Sequence, residues 1–228
     1  MAKVLQALAF AVAANPRAIK SISRAYERDI AAALRRRIAV IAFQFGNDQI
    51  ILLNRVKAAH QLLEGKNAQG DFDGVIARWI RRHAVAAAKN IAESFRKTLA
   101  NIIADAFNDG ANERETGRRI RNRAPEISRK AAERIARTET HSAAERGSYD
   151  AAKASGLEMV KEWASAEDQR TRASHAEADG QIKEMDVPFT VGTESLLFPG
   201  DPSAHIKEIV NCRCVALYHP IIDGEIIR

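Results

Sequence analysis

Four residues able to do chemistry lie within eight positions of one another in the C-terminal third of the sequence. Asp168, Arg170, Arg172 and His175 combine a carboxylate, two guanidinium groups and an imidazole. Such arginines can hold a phosphate while the histidine moves a proton, as in metal-free nuclease chemistry. Alternatively, Asp168 caps a short helix and the arginines pair with acidic neighbours. We favour the structural interpretation and expect no catalytic residues; if the chain is an enzyme, these four are the catalytic set.

Two cysteines form a second candidate set. Cys212 and Cys214 lie two positions apart on a predicted strand, so both thiols point to one face and can approach one metal ion. His175 is the first candidate for a third ligand. The fourth ligand has three candidates, namely His205, His219 and Asp168. Free cysteines are commonly small buried apolar groups, so we expect no cofactor and keep a structural zinc ion at His175, Cys212 and Cys214 as the alternative.

Composition and charge limit the kind of protein. The chain has 228 residues, of which 46 % are apolar, and this is typical of a folded protein. Residues 1–150 carry 27 basic and 16 acidic side chains, whereas residues 151–228 carry 8 and 13. The basic half suits either a phosphate backbone or an acidic protein surface, and solvated helix faces with no dedicated partner are the alternative. No Gly-x-x-x-x-Gly-Lys-Ser/Thr loop is present, which excludes a packaging ATPase.

Apolar residues recur at helical spacing as far as residue 155. The pattern predicts helix ends at Gly46-Asn47-Asp48 and at Asn108-Asp109-Gly110, and a further helix over Ile50–Leu63 that is followed by a loop at Gln69-Gly70-Asp71. A short helix over Glu113–Arg121 and a long one over Pro125–Ala154 are predicted next.

Beyond residue 156 the pattern changes to short strands. We expect strands at Leu157–Trp163 and Cys212–Tyr218, and a hairpin of Val187–Val191 with Leu196–Phe198. The fold class is therefore α+β, with helices followed by a small, mostly antiparallel sheet packed on helices. We divide the chain into a basic helical region, 1–108, and a C-terminal module, 109–228, with helices in 110–155 and the sheet in 156–228.

One basic segment is a candidate partner surface. Arg78, Arg82, Lys89 and Arg96 recur along a predicted helix, and Trp79 lies among the arginines. We expect this surface to attract a partner, although for Trp79 itself a place in the core is the favoured interpretation.

Seven short motifs follow one another in the C-terminal half. They are Arg137-Thr138-Glu139-Thr140; Trp163 and Asp168; Arg170-Thr171-Arg172 with His175; Asp179-Gly180-Gln181; Val187-Pro188-Phe189; Pro199-Gly200-Asp201-Pro202; and Asn211-Cys212-Arg213-Cys214. Their order and spacing over residues 110–216 resemble the phage head morphogenesis family, the Mu F-like minor head proteins. Residues 1–100 carry no comparable motif.

The resemblance implies a low-copy minor capsid protein of a phage or prophage. Such a protein associates with the portal and with the major capsid or scaffold proteins during head assembly, and in some relatives it stays in the particle with the DNA. The resemblance also implies that the module is not a well-established enzyme. The implied location is the host cytoplasm during assembly and then the virion head.

Two other function classes stay open at this point. One is a nucleic-acid-binding or phosphodiester-cleaving protein that uses Asp168 to His175. The other is a secreted effector, because Lys3 followed by an apolar run imitates a secretory signal. Gln6 interrupts that run, so we favour a cytosolic chain with reduced thiols, without a membrane or a small-molecule partner.

Overall fold

The computed structural model describes residues 1–59 and 68–228. Helices occupy the N-terminal two thirds of these residues, and all of the strands that they contain follow residue 156. The helical elements are α1 (Ala2–Ala14), a 3₁₀ turn (Pro16–Ala18), α2 (Ile19–Ala59), α3 (Ala68–Asn108), α4 (Glu113–Ala154), α5 (Ala173–Glu177) and α6 (Ile206–Ile209). The strands are β1 (Met159–Ala164), β2 (Ile182–Glu184), β3 (Phe189–Val191), β4 (Glu194–Leu196), β5 (Val215–Ile222) and β6 (Glu225–Ile226). The predicted α+β class is confirmed.

The helices are longer than the sequence pattern predicts. The break predicted at Gly46-Asn47-Asp48 is wrong, because α2 continues through it to Ala59. The loop predicted at Gln69-Gly70-Asp71 is also wrong, because these residues lie in the first turn of α3. Residues 60–67, where the helix predicted to end at Leu63 would close, lie outside the described residues.

Pro125 does not separate two helices as predicted. It lies inside α4, although proline in a helix interior typically costs about 3 kcal/mol. Buried residues continue on one face on both sides of it, with Ile120, Ala124, Ser128 and Ala131 at spacings of four, four and three. Burial of this continuous stripe explains why the helix extends past the proline.

The chain forms two compact units that interleave along the sequence. Unit 1 comprises Met1–Arg37 and Arg81–Arg137, and unit 2 comprises Ile38–Ile80 and Thr138–Arg228. Helices α2, α3 and α4 therefore each contribute residues to both units. The division at residue 108 stays a prediction.

Unit 2 contains an antiparallel sheet of strand order β2-β1-β5-β6 and a separate hairpin of β3 with β4. In the central pair, Trp163 on β1 lies opposite Ala216 on β5. Trp163 is fully buried and packs edge-on against Phe189, with ring centroids 5.3 Å apart. The core around this tryptophan also contains Val191, Leu196 and both cysteines. The mostly antiparallel sheet predicted from the sequence is thereby confirmed.

Two glycines bring helices of unit 2 into close approach. A Cβ at Gly147 would lie 2.2 Å from the carbonyl oxygen of Ala42, and a Cβ at Gly46 would lie 2.0 Å from the ring of Phe72. Phe72 is itself fully buried and meets Phe43 edge-on. Gly46 thus acts as a packing position inside α2, which explains why it does not end the helix.

We predict that Gly147→Ala destabilises the protein by about 2 kcal/mol, because its methyl group forces apart two backbones that touch. The matched control is Gly74→Ala in α3, where a Cβ would meet only the end of Arg78 at 3.6 Å. That change should stabilise the protein by about 0.5–1 kcal/mol through helix propensity. Urea denaturation of both variants measures the two effects; equal stabilities would contradict the packing argument.

Candidate functional site

His175 is the residue on which the candidate site is centred. It lies on the single-turn helix α5 and only 2 % of its surface is exposed. Its Nδ1 lies 3.2 Å from Cys214 Sγ and 3.7 Å from Cys212 Sγ. Its Nε2 lies 3.2 Å from Glu208 Oε2, so both ring nitrogens have partners.

Cys212 and Cys214 do not lie on a strand, so that part of the prediction is wrong. They precede β5, in a turn where Asn211 adopts a left-handed backbone with φ of 55°. Both thiols are nevertheless buried, and the ligand atoms of His175, Cys212 and Cys214 all lie within 4.8 Å of one another. The turn therefore brings the two thiols together, which the periodicity of the predicted strand was expected to do.

Backbone hydrogen bonds hold the cysteine turn in place. The Asn211 N–H donates to Thr138 Oγ1 on α4 at 3.2 Å. The guanidinium of Arg172 donates to the carbonyl oxygen of Val210. Thus the Arg-Thr-Glu-Thr and Arg-Thr-Arg motifs each donate or accept a hydrogen bond at the turn that carries the Asn-Cys-Arg-Cys motif.

Asp168 and Arg213 close the outer side of this turn. The carboxylate of Asp168 accepts two hydrogen bonds from the Arg213 guanidinium, and it also accepts one from the Arg170 N–H at 2.9 Å. The hydrogen bond from Arg213, followed by that from the Arg170 backbone, holds the pKa of Asp168 well below its ordinary value. Asp168 therefore bonds the backbone two residues on, as a capping residue does, and its main ionic partner is Arg213.

Glu208 is a site residue that sequence reasoning missed. It is buried on α6, and its Oε2 accepts a hydrogen bond from Ser174 Oγ at 2.9 Å in addition to its contact with His175. The Nε2–H tautomer of His175 would donate to this carboxylate and leave the Nδ1 lone pair facing the cysteines. The only sequence signal is an acidic residue in a short apolar helix, which does not reveal a partner 33 positions away.

Two further titratable residues of α4 border the cluster. The buried carboxyl of Glu145 accepts from the Ala216 N–H at 3.0 Å, and burial raises its pKa to about 8. His141 Nε2 is buried and has no hydrogen-bond partner within the described residues. Burial, opposed by Cys214 and reinforced by His175, lowers the pKa of His141 to about 4, so its ring is neutral at pH 7.

The three predicted fourth ligands lie elsewhere. His205 caps α6, where its Nδ1 accepts from the Lys207 N–H. His219 pairs with Glu162, Nε2 to Oε2, at 2.9 Å. With Asp168 paired to Arg213, none of the three joins the group formed by His175, Cys212 and Cys214.

Other motif residues brace the loops around the site. Asp179 accepts from the Ser165 N–H at 2.6 Å, and the adjoining Gly180 N–H donates to the Trp163 carbonyl. In the Pro199-Gly200-Asp201-Pro202 loop, Asp201 accepts from the Leu197 and Ser203 backbones. Thr171 donates to Asp168. Gly200 has a positive φ of 78°, and a Cβ there would lie 2.9 Å from the ring of His141.

Lys161 on β1 is a fully buried cation that sequence reasoning also missed. Its Nζ donates to the carbonyl oxygens of Met185 and Leu197 at 2.9 and 2.7 Å. It also lies 4.9 Å from the centre of the Phe189 ring. Burial, partly offset by Asp186 and Asp201, lowers the pKa of Lys161 to about 8.

The predicted nuclease residues do not form an open catalytic cleft. His175 is buried with both nitrogens engaged, Arg172 is committed to a backbone carbonyl, and Asp168 is bonded to Arg213. The cluster instead has two chemical possibilities, since a histidine beside two thiols can bind a metal or polarise a thiol. Burial of both cysteines keeps a substrate from reaching either sulfur.

The predicted partner-surface residues fall into both units. In unit 1, Arg82 and Lys89 line an open groove, whereas Arg96 pairs with Glu93. In unit 2, Arg78 is exposed, and Trp79 is only 7 % exposed beneath the Arg146 guanidinium. Trp79 therefore contributes to the core, and its role in partner binding stays a prediction.

Comparison with protein families agrees with the order of the motifs. Residues 97–217 match the family described as Phage Mu protein F like protein. Since the match spans more than half of the chain, the protein belongs to this family. None of the helices within residues 1–59 and 68–228 is long and apolar enough to cross a membrane.

Several curated proteins are similar to this chain. Minor head protein GP7 of Bacillus phage SPP1 is 34 % identical over 133 residues, which make up 56 % of this chain and 41 % of that protein. The NAD(+)--arginine ADP-ribosyltransferase EFV of Enterococcus faecalis is 37 % identical over 127 residues, 54 % of this chain and 25 % of that protein. The uncharacterized protein YqbB of Bacillus subtilis is 23 % identical over 153 residues, which make up 65 % of this chain and 49 % of that protein. The chain thus spans between a quarter and a half of these relatives. No solved structure matches it significantly.

We predict that Lys161 makes stability rise with pH between about 8 and 10.5. In this window the unfolded lysine keeps the proton that the folded one has lost, so raising the pH favours the folded state, by up to about 3 kcal/mol. Lys161→Met should abolish this rise when the free energy of unfolding is measured against pH. Lys183→Met, on the neighbouring strand and partly exposed, should retain it. A rise that persists in Lys161→Met would show that another group causes it.

Proposed function

We propose that this protein is a minor structural component of a phage or prophage head, which docks to the portal or to the inner capsid wall during assembly. The observation that carries the proposal is the family match over residues 97–217. A similar protein of Bacillus phage SPP1 is named a minor head protein, and the hydrogen bonds that join the motifs of this chain connect its loops and helices. We place the protein in the host cytoplasm during assembly and afterwards in the virion with the DNA.

The groove in unit 1 is our candidate for the docking surface. Its cationic lining residues are Arg28, Arg35, Arg81, Arg82 and Lys89, against the single carboxylate of Glu27. The lining also contains Ala31, Ala32, Ala86 and Val85, and the Val85 side chain is 56 % exposed. A lining that combines five cations with apolar side chains suits an acidic protein segment that also carries an apolar side chain. We therefore favour a head protein over DNA as the occupant.

A catalytic role is not part of the proposal. The activity in the name of the Enterococcus relative belongs to that protein, of which the match covers 25 %. In this chain, Arg172 is engaged with a backbone carbonyl, His175 with Glu208 and Asp168 with Arg213, while the Arg170 side chain is exposed. We assign them to holding the loops of unit 2 together.

We predict that reversing two charges of the groove blocks head assembly. Arg82→Glu with Lys89→Glu should lower the yield of infectious particles roughly tenfold or more, because the two new carboxylates in the lining would repel an acidic partner. The measurement is complementation of a phage that lacks the intact gene. Lys3→Glu with Lys20→Glu, two exposed sites of unit 1 outside the groove, is the control and should assemble normally. Normal yield from the groove variant, or an equal loss from the control, would contradict the proposal.

We further predict that salt distinguishes a protein partner from DNA. The full-length chain should bind the purified portal or capsid proteins of its phage with a shallow dependence on ionic strength, because apolar contacts contribute. Binding to duplex DNA would instead weaken with a log–log slope of about 0.9 per neutralised phosphate. Anisotropy titrations at several salt concentrations measure both. Tight DNA binding with a steep slope, together with no portal or capsid binding, would make DNA the partner.

A further inference from the structure

We propose that His175, Cys212 and Cys214 bind one zinc ion and that His141 supplies the fourth ligand. The ion would join α5 to the turn before β5 and to α4, all of which belong to unit 2. This zinc site would be part of the construction of the module and is independent of the proposed role in head assembly.

The distances among the three central ligand atoms fit a zinc ion. With Zn–S and Zn–N bonds of about 2.3 and 2.0 Å, tetrahedral geometry places sulfur and nitrogen ligands about 3.6 Å apart. His175 Nδ1 lies 3.2 and 3.7 Å from the two sulfurs, and the three atoms all fall within 4.8 Å of one another. Small adjustments of the side chains would therefore give the bonding geometry.

The opposite side of His175 has the arrangement expected of a metal ligand. A histidine that binds zinc typically donates its other N–H to a carboxylate, which fixes the ring and makes the bonding nitrogen a better donor. Glu208 fills this role at Nε2, and Ser174 orients the same Oε2 atom. Glu208 is buried, and burying a carboxylate here is costly unless the group serves a charged or polar partner.

His141 is the best fourth ligand because its Nε2 lacks a partner. Buried imidazole nitrogens normally form a hydrogen bond, and this atom forms none with the described residues. His141 is not in the group of ligand atoms that lie within 4.8 Å of one another, so its side chain must move toward the cluster to bind the ion. Gly200 allows its own backbone to lie against this ring, where a Cβ would come within 2.9 Å of it. The Gly200 backbone therefore confines the ring on one side.

The alternative is a metal-free cluster in which His175 only accepts a hydrogen bond from a thiol. That arrangement leaves the buried His141 nitrogen without a partner, whereas zinc binding satisfies it. Zinc also accounts for two thiols converging on one imidazole nitrogen, since one lone pair can serve only one hydrogen bond well. Each thiol that binds the ion loses its proton to solvent.

The first experiment measures zinc in the full-length protein, purified under reducing conditions without chelators, by mass spectrometry of the metal. We expect about one zinc ion per chain, and substantially less than one in Cys212→Ser with Cys214→Ser. His219→Ala, whose imidazole pairs with Glu162, should keep the zinc of the wild type. A wild-type protein without zinc that also binds none on addition of zinc chloride would overturn the proposal, as would full zinc content in the double variant.

A second measurement guards against variants that fail to fold. Cobalt added to the chelator-treated full-length wild type should produce a thiolate-to-cobalt charge-transfer band and the intense visible bands of four-coordinate cobalt.

Glu208→Gln keeps the size of the side chain but weakens its hold on His175, so zinc affinity in competition with a chelator should fall about 10–100-fold. Glu194→Gln, a partly exposed carboxylate of the same unit, is the matched control and should leave the affinity unchanged. Equal affinities in the two variants would contradict the role of Glu208.

His141→Ala tests the fourth ligand separately. We expect the charge-transfer band from the two thiolates to remain while the four-coordinate visible spectrum changes. Visible bands identical to those of the wild type would overturn the assignment of His141. Absence of the charge-transfer band in the folded wild type would overturn the whole site.

Discussion

The rest of unit 2 depends on the imidazole of His175, which is contacted on both ring nitrogens by residues from two other segments. Its Nδ1 side meets the turn of Cys212 and Cys214, and its Nε2 side meets Glu208 on α6. A helix of five residues such as α5 is not stable by itself, since helix formation requires a costly nucleus. Its position is fixed by these contacts and by an edge-to-face contact between Trp163 and the imidazole, whose ring centres lie 5.6 Å apart.

Buried polar groups give this small unit a specific arrangement. Lys161, Glu145 and Glu208 each lie out of reach of solvent, and each bonds a partner from a segment distant in sequence. Desolvating such groups is unfavourable, and a loop shifted from its place would leave one of them without a partner. The loops between the short strands are therefore held by polar bonds, because strands of three residues offer little backbone pairing.

Local sequence signals predicted the type of each element better than the residues at which it begins and ends. Helical spacing and strand alternation identified the α+β fold, since both arise from the residues of one element. The breaks expected at Gly46 and at Pro125 failed because tertiary packing overrode the local preference, against the Phe72 ring in one case and along a buried stripe in the other. A local sequence pattern contains no information about the residues that pack against an element from elsewhere in the chain.

At the candidate site, too, local signals were informative and contacts between distant residues were not predicted. His175, Cys212 and Cys214 were recognised as a group because cysteine and histidine are rare residues with few roles, and the structure brings them together. Glu208 and Lys161 were missed because glutamate and lysine are common, and their partners lie at least 24 positions away along the chain. Cys212 and Cys214 converge through a left-handed residue, Asn211, and not through the strand on which the prediction placed them.

The interleaving of the chain bears on how such a module can be transferred between proteins. The strands of unit 2 are fastened to earlier segments: Asn211 to Thr138 on α4, and the end of α4 at Ser155 to Lys57 on α2. Helix α4 in turn lies against Ala42 at Gly147. Recombination that moved only residues 156–228 into another gene would sever the bond to Thr138, and a block that also took α4 would lose the contacts of α4 with Lys57 and Ala42. A crossover that preserves them all must lie upstream of residue 42, so the heritable block is larger than the sheet whose motifs make it recognisable.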